Sequence, residues 1–245
     1  MSGAPAPDRI VGALNFRDVG GLPAGRTRTR PGVLFRSGNL AHLTDEGRAA
    51  LGRLGVRRIV DLRADEEVAA EPSRVAGLDL DTVRLPLFLG SAASFFIDDI
   101  TLPQMYRGLV DGAPTRIVAV ARSVIEARPV LVHCTVGKDR TGVAVALLLA
   151  AAGVDRTAVV ADYARTETLL PPERNARVVA LLRSAHPHAR NLEQLATRSP
   201  ASVMHDLLAD IDERFGSAAG YLRSHGLSTD EIGALRRTLI DDSDL

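Results

Sequence analysis

The sequence of 245 residues has one cysteine, one lysine and no tryptophan. A single cysteine cannot close an internal disulfide, and it cannot supply the several thiolates of a cysteine-rich zinc site. A secreted disulfide framework is therefore excluded, and Cys134 is either inert or reactive. The 30 basic and 30 acidic residues cancel, and no long basic run interrupts this balance, so we expect no nucleic-acid partner.

Long hydrophobic runs are also missing. The longest, residues 142–154, has thirteen residues, whereas a membrane-spanning helix needs about twenty. This run predicts a buried helix, and we expect no integral membrane segment. Residues 1–10 lack the charged and apolar regions of a signal peptide, so a cytoplasmic location is the default expectation. Export by a route that uses no such signal stays open.

The order of local patterns predicts an α/β protein. We find no internal repeat and no long linker, so residues 1–245 are expected to form a single domain. Residues 88–103 combine glycine, serine, phenylalanine and acidic residues, which favours a loop, and we interpret 88–113 as a short lid. Strand patterns at 56–62, 79–87 and 130–133 are mixed with helix patterns that begin at Thr44 and continue at 117–125, 141–154, 156–167, 173–185, 200–215 and 229–240.

The most informative stretch is residues 133–142, His-Cys-Thr-Val-Gly-Lys-Asp-Arg-Thr-Gly, between a predicted buried strand and a predicted buried helix. Such a loop can turn its amide N–H groups inward, and the helix dipole adds positive potential at the same place. A tetrahedral phosphate fits this arrangement. The same field, with Lys138 and Arg140 nearby, favours the thiolate of Cys134, which would then act as a nucleophile.

Other residues of the loop suit the same chemistry. Arg140 can hold two phosphate oxygens and stabilise the charge of the transition state. A hydroxyl hydrogen bond from Thr141 would stabilise the sulfur as thiolate and as leaving group. The candidate substrate-binding residues are therefore those that complete the loop around the nucleophile: Thr135, Val136, Gly137, Lys138 and Thr141.

The stretch HCTVGKDRTG resembles the signature loop of the cysteine-dependent protein phosphatases, and its Gly-Lys-Asp-Arg core is similar to that of the bacterial tyrosine phosphatases. Residues 15–19, 30–37, 61–63 and 160–163 resemble other recurring segments of that group, in the same order. The resemblance implies a cysteine-dependent phosphatase fold, with a central, mainly parallel sheet wrapped by helices and a helix-rich C-terminal part. It also implies a phosphocysteine intermediate, no metal or other cofactor, and a phosphorylated protein or peptide as substrate.

Breaking a phosphate ester also needs a proton donor, and one carboxyl group can serve as acid and then as base. Tyrosine phosphatases with a Trp-Pro-Asp loop place the aspartate there, and a chain without tryptophan lacks that device. The candidates are Asp139 in the loop and Asp61 at the carboxyl end of a strand, where ligands of open α/β sheets bind. For Asp61 the alternative is a buried pair with Arg63. Asp98 and Asp99 on the lid rank lower.

Several other residues are expected to lie at or near the site. Arg17, Asp18 and Arg36 either line the site or form an ion pair that anchors the N-terminal segment. The ring of His133 is expected to hydrogen-bond the loop backbone rather than to act as a base. Tyr163 is expected to be packed beneath the loop.

Three functions remain at this point. The leading one is a tyrosine phosphatase with phosphotyrosine as its main substrate, and with activity on phosphoserine or phosphothreonine as an extension. The second is a phosphoinositide phosphatase, because Lys138 would help to bind another phosphate on the inositol ring. The third, a non-catalytic module that binds phosphorylated residues, would need no nucleophile, and the presence of Cys134, Arg140 and Thr141 argues against it.

Overall fold

The computed structural model describes residues 9–87 and 92–241. The strands within these ranges are β1 (Arg17–Asp18), β2 (Pro23–Ala24), β3 (Thr27–Thr29), β4 (Leu34–Ser37), β5 (Arg58–Asp61), β6 (Asp81–Arg84), β7 (Val130–His133) and β8 (Ile240–Asp241). The helices are α1 (Asp45–Arg53), α2 (Asp65–Ala70), α3 (Ala92–Ile97), α4 (Leu102–Gly112), α5 (Pro114–Glu126), α6 (Asp139–Ala152), α7 (Arg156–Ala164), α8 (Thr166–Leu169), α9 (Pro172–Ala185), α10 (Leu192–Thr197), α11 (Ala201–Phe215), α12 (Ala218–Ser224) and α13 (Thr229–Leu239).

The central sheet has five strands in the order β1-β4-β7-β5-β6. Three of its four strand pairings are parallel, and the fourth, between β1 and β4, is antiparallel. A second sheet of three short strands has the order β2-β3-β8. The carboxyl ends of β4, β7 and β5 therefore lie side by side, which confirms the mainly parallel sheet.

Both faces of the central sheet are buried, as parallel sheets require. Phe35, Leu131 and Ile59 are aligned across three strands and belong to a hydrophobic cluster on one face. Their neighbours in the strands, Val60 and Val132 among them, belong to the larger cluster on the other face. Side chains alternate between the faces of a strand, so these continuous apolar runs serve two cores.

The apolar run at 142–154 is the buried helix α6, as expected from its length. Most of its side chains are buried, and α5, α7, α12 and α13 pack around it. The helix ends at Gly153, whose φ of +92° is the left-handed conformation that glycine adopts without strain. A buried helix that begins immediately after the central strand fixes the position of the loop between them.

The structure differs from the sequence prediction in the stretch at 88–113. The described part of that stretch contains the helices α3 and α4, and α3 lies within 88–103, where a loop was expected. Thr101 explains the start of α4, because it forms a capping box with Gln104. Residues 88–91 of the expected lid lie outside the described residues. The helix predicted at 156–167 is divided into α7 and α8. Across the described ranges, no helix is long and apolar enough to cross a membrane.

Candidate active site

The loop that follows the central strand β7, residues 134–140, occupies the carboxyl edge of the sheet; we call it the cysteine loop. Ser37 and Asp61, the last residues of β4 and β5, are both aligned with His133, the last residue of β7. Three strand ends therefore meet at the loop. In open α/β sheets this edge is where ligands bind.

The carbonyl groups of the cysteine loop are bound by three residues from the N-terminal part of the chain, Asn15, Arg36 and Asn39. Three consecutive carbonyls are held in this way. Asn39 N donates to Thr135 O at 3.0 Å, Asn15 Nδ2 donates to Val136 O at 3.3 Å and to Gly137 O at 2.9 Å, and Arg36 Nη2 donates to Gly137 O at 2.9 Å.

Anchoring these carbonyls determines where the loop amides point. A trans peptide directs its C=O and N–H groups in opposite directions, so the amides of Val136, Gly137 and Lys138 face away from the anchoring residues. The amide of Gly137 donates to Cys134 Sγ at 3.3 Å, which places the sulfur on that side. The amides of Val136 and Lys138 make no hydrogen bond within the described part of the chain. They are available to an anion bound in front of the sulfur.

Gly137 is required at its position for two reasons. Its φ is +72°, a conformation that side chains rarely adopt. A Cβ atom there would also lie 2.4 Å from the backbone carbonyl of Ser37. The cysteine loop therefore approaches the end of β4 too closely for any other residue.

A buried ion cluster supports the anchoring residues. Asp162 of α7 binds Arg17 Nε and Arg36 Nη1, each at 2.7 Å, and the two arginines are aligned in β1 and β4. Burial opposes ionisation of Asp162, but the two guanidinium groups lower the pKa of its carboxyl. Asp18 instead accepts hydrogen bonds from the amides of Gly20 and Gly32 in a turn. The structure therefore shows Arg17 and Arg36 in ion pairs with Asp162, as the second interpretation predicted. These ion pairs support the cysteine loop from behind, through Arg36 and Asn15.

Cys134 lies at the base of the site with 3% of its surface exposed. His133 Nδ1 lies 3.3 Å from Cys134 O, so the ring holds the loop backbone as predicted. The hydroxyl of Thr141 is buried without a hydrogen-bond partner among the described residues, and the predicted bond to the sulfur is not formed. Tyr163 is fully buried against Gly142, beneath the loop.

Arg140 is held by Glu67, a residue that no sequence motif indicated. Arg140 Nη1 and Nη2 donate to the two carboxylate oxygens at 2.6 and 2.8 Å, and Nη2 also donates to Thr135 Oγ1 at 2.9 Å. Thr135 in turn donates to Glu67. Burial opposes ionisation of Glu67, but the hydrogen bonds and charge of Arg140 lower its pKa to about 2. This two-pronged pair fixes the plane of the guanidinium at the site.

Asp139 and Lys138 form a second polar cluster at the start of α6. Lys138 Nζ and Tyr106 Oη both donate to Asp139 Oδ1, at 2.6 and 2.8 Å, and Tyr106 Oη also lies 2.7 Å from Tyr163 Oη. Asp139 Oδ2 makes no hydrogen bond within the described ranges. Lys138 Nζ also donates to Arg198 O at 3.0 Å and is 1% exposed. The Lys138 ammonium is therefore bound by other groups of the protein.

Asp61, the other predicted proton donor, is placed differently. Its carboxylate is 3% exposed and receives both Arg63 Nε at 2.9 Å and Arg63 Nη2 at 2.7 Å. Burial opposes its ionisation, but the Arg63 hydrogen bonds lower its pKa. The buried pair with Arg63 is therefore observed, and Asp61 lies at the carboxyl end of β5, aligned with His133. Asp99 accepts from the amides of Arg190 and Asn191.

The cysteine loop opens into a cavity of about 220 Å³, which has a polar floor and apolar walls. The polar part comes from Glu67, Thr135, Lys138, Asp139, Arg140 and Arg174. The apolar walls come from α3, α4, α9 and α10, and they consist of Phe95, Phe96, Met105, Leu109, Val178, Leu182 and Leu195. The two phenylalanines of the predicted lid therefore face the same cavity as the loop.

A model of the tyrosine phosphatase family matches residues 9–241. The chain belongs to that family. The triple specificity protein phosphatase PtpB of Mycobacterium tuberculosis is 34% identical over an alignment that covers 94% of this chain and 98% of the relative. A tyrosine-protein phosphatase of Nostoc commune is 33% identical, with 87% and 76% covered. The core catalytic domain of the PP-IP phosphatase SIW14 from S. cerevisiae has a TM-score of 0.40 at 17% identity and covers 87% of this chain and 95% of that one.

The family membership confirms the resemblance that the sequence showed, and it confirms that the protein is a phosphatase. Residues 133–142 lie between a buried strand and a buried helix, as predicted, whereas the anchoring residues Asn15 and Asp162 were not predicted as site residues. Both lie in segments that carried the resemblance, which was the available signal. Glu67 and Tyr106 had no such signal, because the sequence around Glu67 resembles an ordinary acidic helix start.

Proposed function

We propose that this chain hydrolyses phosphotyrosine in proteins or peptides through a phosphocysteine intermediate. One observation carries the proposal: the amides of the cysteine loop face the side on which Cys134 Sγ lies, because their carbonyls are bound behind the loop. Amides and a guanidinium arranged around a sulfur suit a tetrahedral anion and the charge that develops on it.

The reaction uses each group once per step. The Cys134 thiolate attacks phosphorus, the bond between phosphorus and the tyrosine oxygen breaks, and Asp139 gives its proton to the departing oxygen. Water then attacks the phosphocysteine, Asp139 takes a proton from it, and the phosphorus–sulfur bond breaks. The products are tyrosine and inorganic phosphate, and the cysteine returns as thiolate. Arg140 and the loop amides stabilise the equatorial oxygens in both steps.

Asp139 is the carboxylate that suits the proton transfer. It lines the cavity, and its Oδ1 is fixed by Tyr106 and Lys138 while Oδ2 remains available. Asp61 is enclosed by Arg63 and lines none of the cavities described for this site. A proton donor must reach the leaving oxygen directly or through one water, which favours Asp139.

The cavity supports tyrosine as the main phosphorylated residue. Cys134 is 3% exposed, so the phosphoryl group has to travel into the cavity to reach the sulfur. An aryl ester is long enough to do so, and its ring would contact Phe95, Phe96 and Met105, with burial of apolar surface as the driving force. A serine phosphate has neither that reach nor a ring to bury. The observation that Lys138 is bound to Asp139 and Arg198 removes the reason for favouring an inositol ring.

The experiment compares turnover of a phosphotyrosine peptide, the same peptide with phosphoserine, and vesicles with a phosphatidylinositol monophosphate. We expect kcat/KM to be highest for phosphotyrosine, and Cys134→Ser to lose turnover of every substrate. Asp139→Asn should slow aryl phosphates with poor leaving groups far more than those with good ones, while Asp61→Asn should show no such dependence. Faster turnover of the lipid than of the phosphotyrosine peptide would contradict the proposal.

A further inference from the structure

A long groove runs from the cysteine loop between the N-terminal segment and α9, and nothing in the proposed chemistry uses it. It has a volume of about 930 Å³ and shares Thr135 and Arg174 with the cavity of the cysteine loop. We call it the arginine groove, after Arg9, Arg174 and Arg177 in its walls. The two spaces are therefore adjacent, and Arg174 lies between them.

The charge of the arginine groove is positive. Its walls contain three arginines, while Glu173 is its sole carboxylate among the described residues. Arg174 is half-buried, and its Nη1 donates to the neutral side chain of Asn175 at 3.2 Å. No ion pair of Arg174 or Arg177 occurs within the ranges that the structure describes. Elsewhere in this chain most half-buried arginines, such as Arg58 and Arg156, are paired with carboxylates.

An unpaired, half-buried guanidinium is costly unless an anion meets it. Burial lowers the pKa of Arg174, and no carboxylate offsets that effect. The planar fork of arginine suits a carboxylate or a phosphate. A ligand that enters the cavity through its phosphoryl group would pass Arg174 with the atoms next to that group.

We propose, resting on the phosphotyrosine phosphatase function above, that Arg174 and Arg177 form an anionic subsite for the peptide substrate. The subsite takes a carboxylate, or a second phosphate, carried by a residue next to the phosphotyrosine. A peptide advances about 3.3–3.6 Å per residue when extended, so a neighbouring acidic side chain reaches the groove while the phosphotyrosine occupies the cavity. The chain is thereby selective for acidic sequences around the phosphotyrosine.

The test uses two phosphotyrosine peptides that differ in charge alone, with glutamate or with glutamine on both sides of the phosphotyrosine. The measured quantity is the ratio of kcat/KM for the acidic peptide to that for the neutral one. We expect a ratio of about ten in the wild type at low ionic strength, from charge-assisted hydrogen bonds that water partly screens. The ratio should fall as salt is added.

Variants decide whether Arg174 is the cause. Arg174→Gln should lower the ratio to about one, and Arg174→Glu should lower it below one, because the reversed charge repels the acidic peptide. Arg177→Gln should give an intermediate ratio. The matched control is Arg183→Gln on the same helix, since Arg183 pairs with Glu193 and lies outside the groove. It should leave the ratio unchanged.

The outcomes separate this inference from the proposed function. A wild type that hydrolyses both peptides equally refutes the subsite and leaves the phosphatase function standing. Hydrolysis of neither peptide refutes the function itself. If Arg174→Gln slows both peptides by the same factor, Arg174 has a structural role and the subsite is refuted. If Arg174→Gln instead lowers the preference for a phosphatidylinositol bisphosphate over a monophosphate and leaves the peptide ratio unchanged, the subsite serves a lipid headgroup, and the peptide assignment is wrong.

Discussion

Replacing Glu67 tests whether its carboxylate positions Arg140 or obstructs it. In Glu67→Gln the amide keeps the shape and the hydrogen bond to the Ala64 amide but loses the charge that pairs with both guanidinium nitrogens. If Glu67 fixes the plane of Arg140, kcat of the variant falls. If Glu67 competes with the phosphoryl group for the same nitrogens, kcat/KM of the variant rises.

The size of the effect follows from the titration of Glu67. Its pKa of about 2 instead of the ordinary 4.5 corresponds to about 3.4 kcal/mol of interaction that favours the carboxylate. Because 32% of the side chain is exposed, water screens the pair, and about 1–2 kcal/mol is the realistic magnitude. If the variant loses this interaction energy in the transition state, kcat falls by about 5- to 30-fold.

The assay is steady-state hydrolysis of a phosphotyrosine peptide between pH 5 and 8. A pKa lowered in the folded chain means that Glu67 is ionised throughout this range and that its contribution is lost as the pH falls from about 4.5 towards 2. The ratio of wild-type to variant kcat should therefore be constant across the assay range. Glu66→Gln is the matched control, because Glu66 is the exposed neighbour in the same turn of α2. An increase of kcat/KM in Glu67→Gln would refute the positioning role.

Three further predictions follow from the buried groups around the loop. Asp162→Asn leaves two buried guanidiniums without a counter-charge and should lower the free energy of unfolding by about 3 kcal/mol, measured in urea; a loss under about 1 kcal/mol contradicts the network. Burial lowers the pKa of His133 to about 4, so the unfolded chain takes up a proton first as the pH falls from 6.5 to 4, and stability should drop by up to about 3 kcal/mol. His133→Asn should flatten that pH profile, and His205→Asn, at an exposed site, should not. Tyr106→Phe should slow aryl phosphates with poor leaving groups by about fivefold, whereas Tyr221→Phe, which loses a buried bond to Val110 O, should cost about 1 kcal/mol of stability at an unchanged rate.

Much of the fold was predictable because its signals are local. The Thr44 cap, the strand at 130–133 and the capping box at Ser228 appear in the structure at the predicted positions. The helix α4 was not predicted, because Gly108 and Gly112 weaken its helix pattern and a loop-like stretch precedes it. The edge strand β6 is shorter than its alternating pattern suggested, since one neighbour supplies all of its pairing.

The two aspartates show where sequence reasoning about the site ended. Asp61 ends a strand and Asp139 begins a helix at the edge that binds ligands, and the sequence left their roles open. The structure pairs Asp61 with Arg63, two residues along the chain, and leaves Asp139 at the cavity. A two-residue separation allows that pair but does not require it, because side-chain direction depends on packing.

The sequence alone determined the strand, the cysteine loop and the buried helix that follows it, since these are consecutive and each is set by its own residues. Tertiary structure decided what surrounds them. Glu67 reaches Arg140 across 73 positions, and Asn15 reaches Gly137 across 122. Contacts at such separations depend on the order in which β1, β4, β7 and β5 assemble, and no short pattern of residues encodes that order.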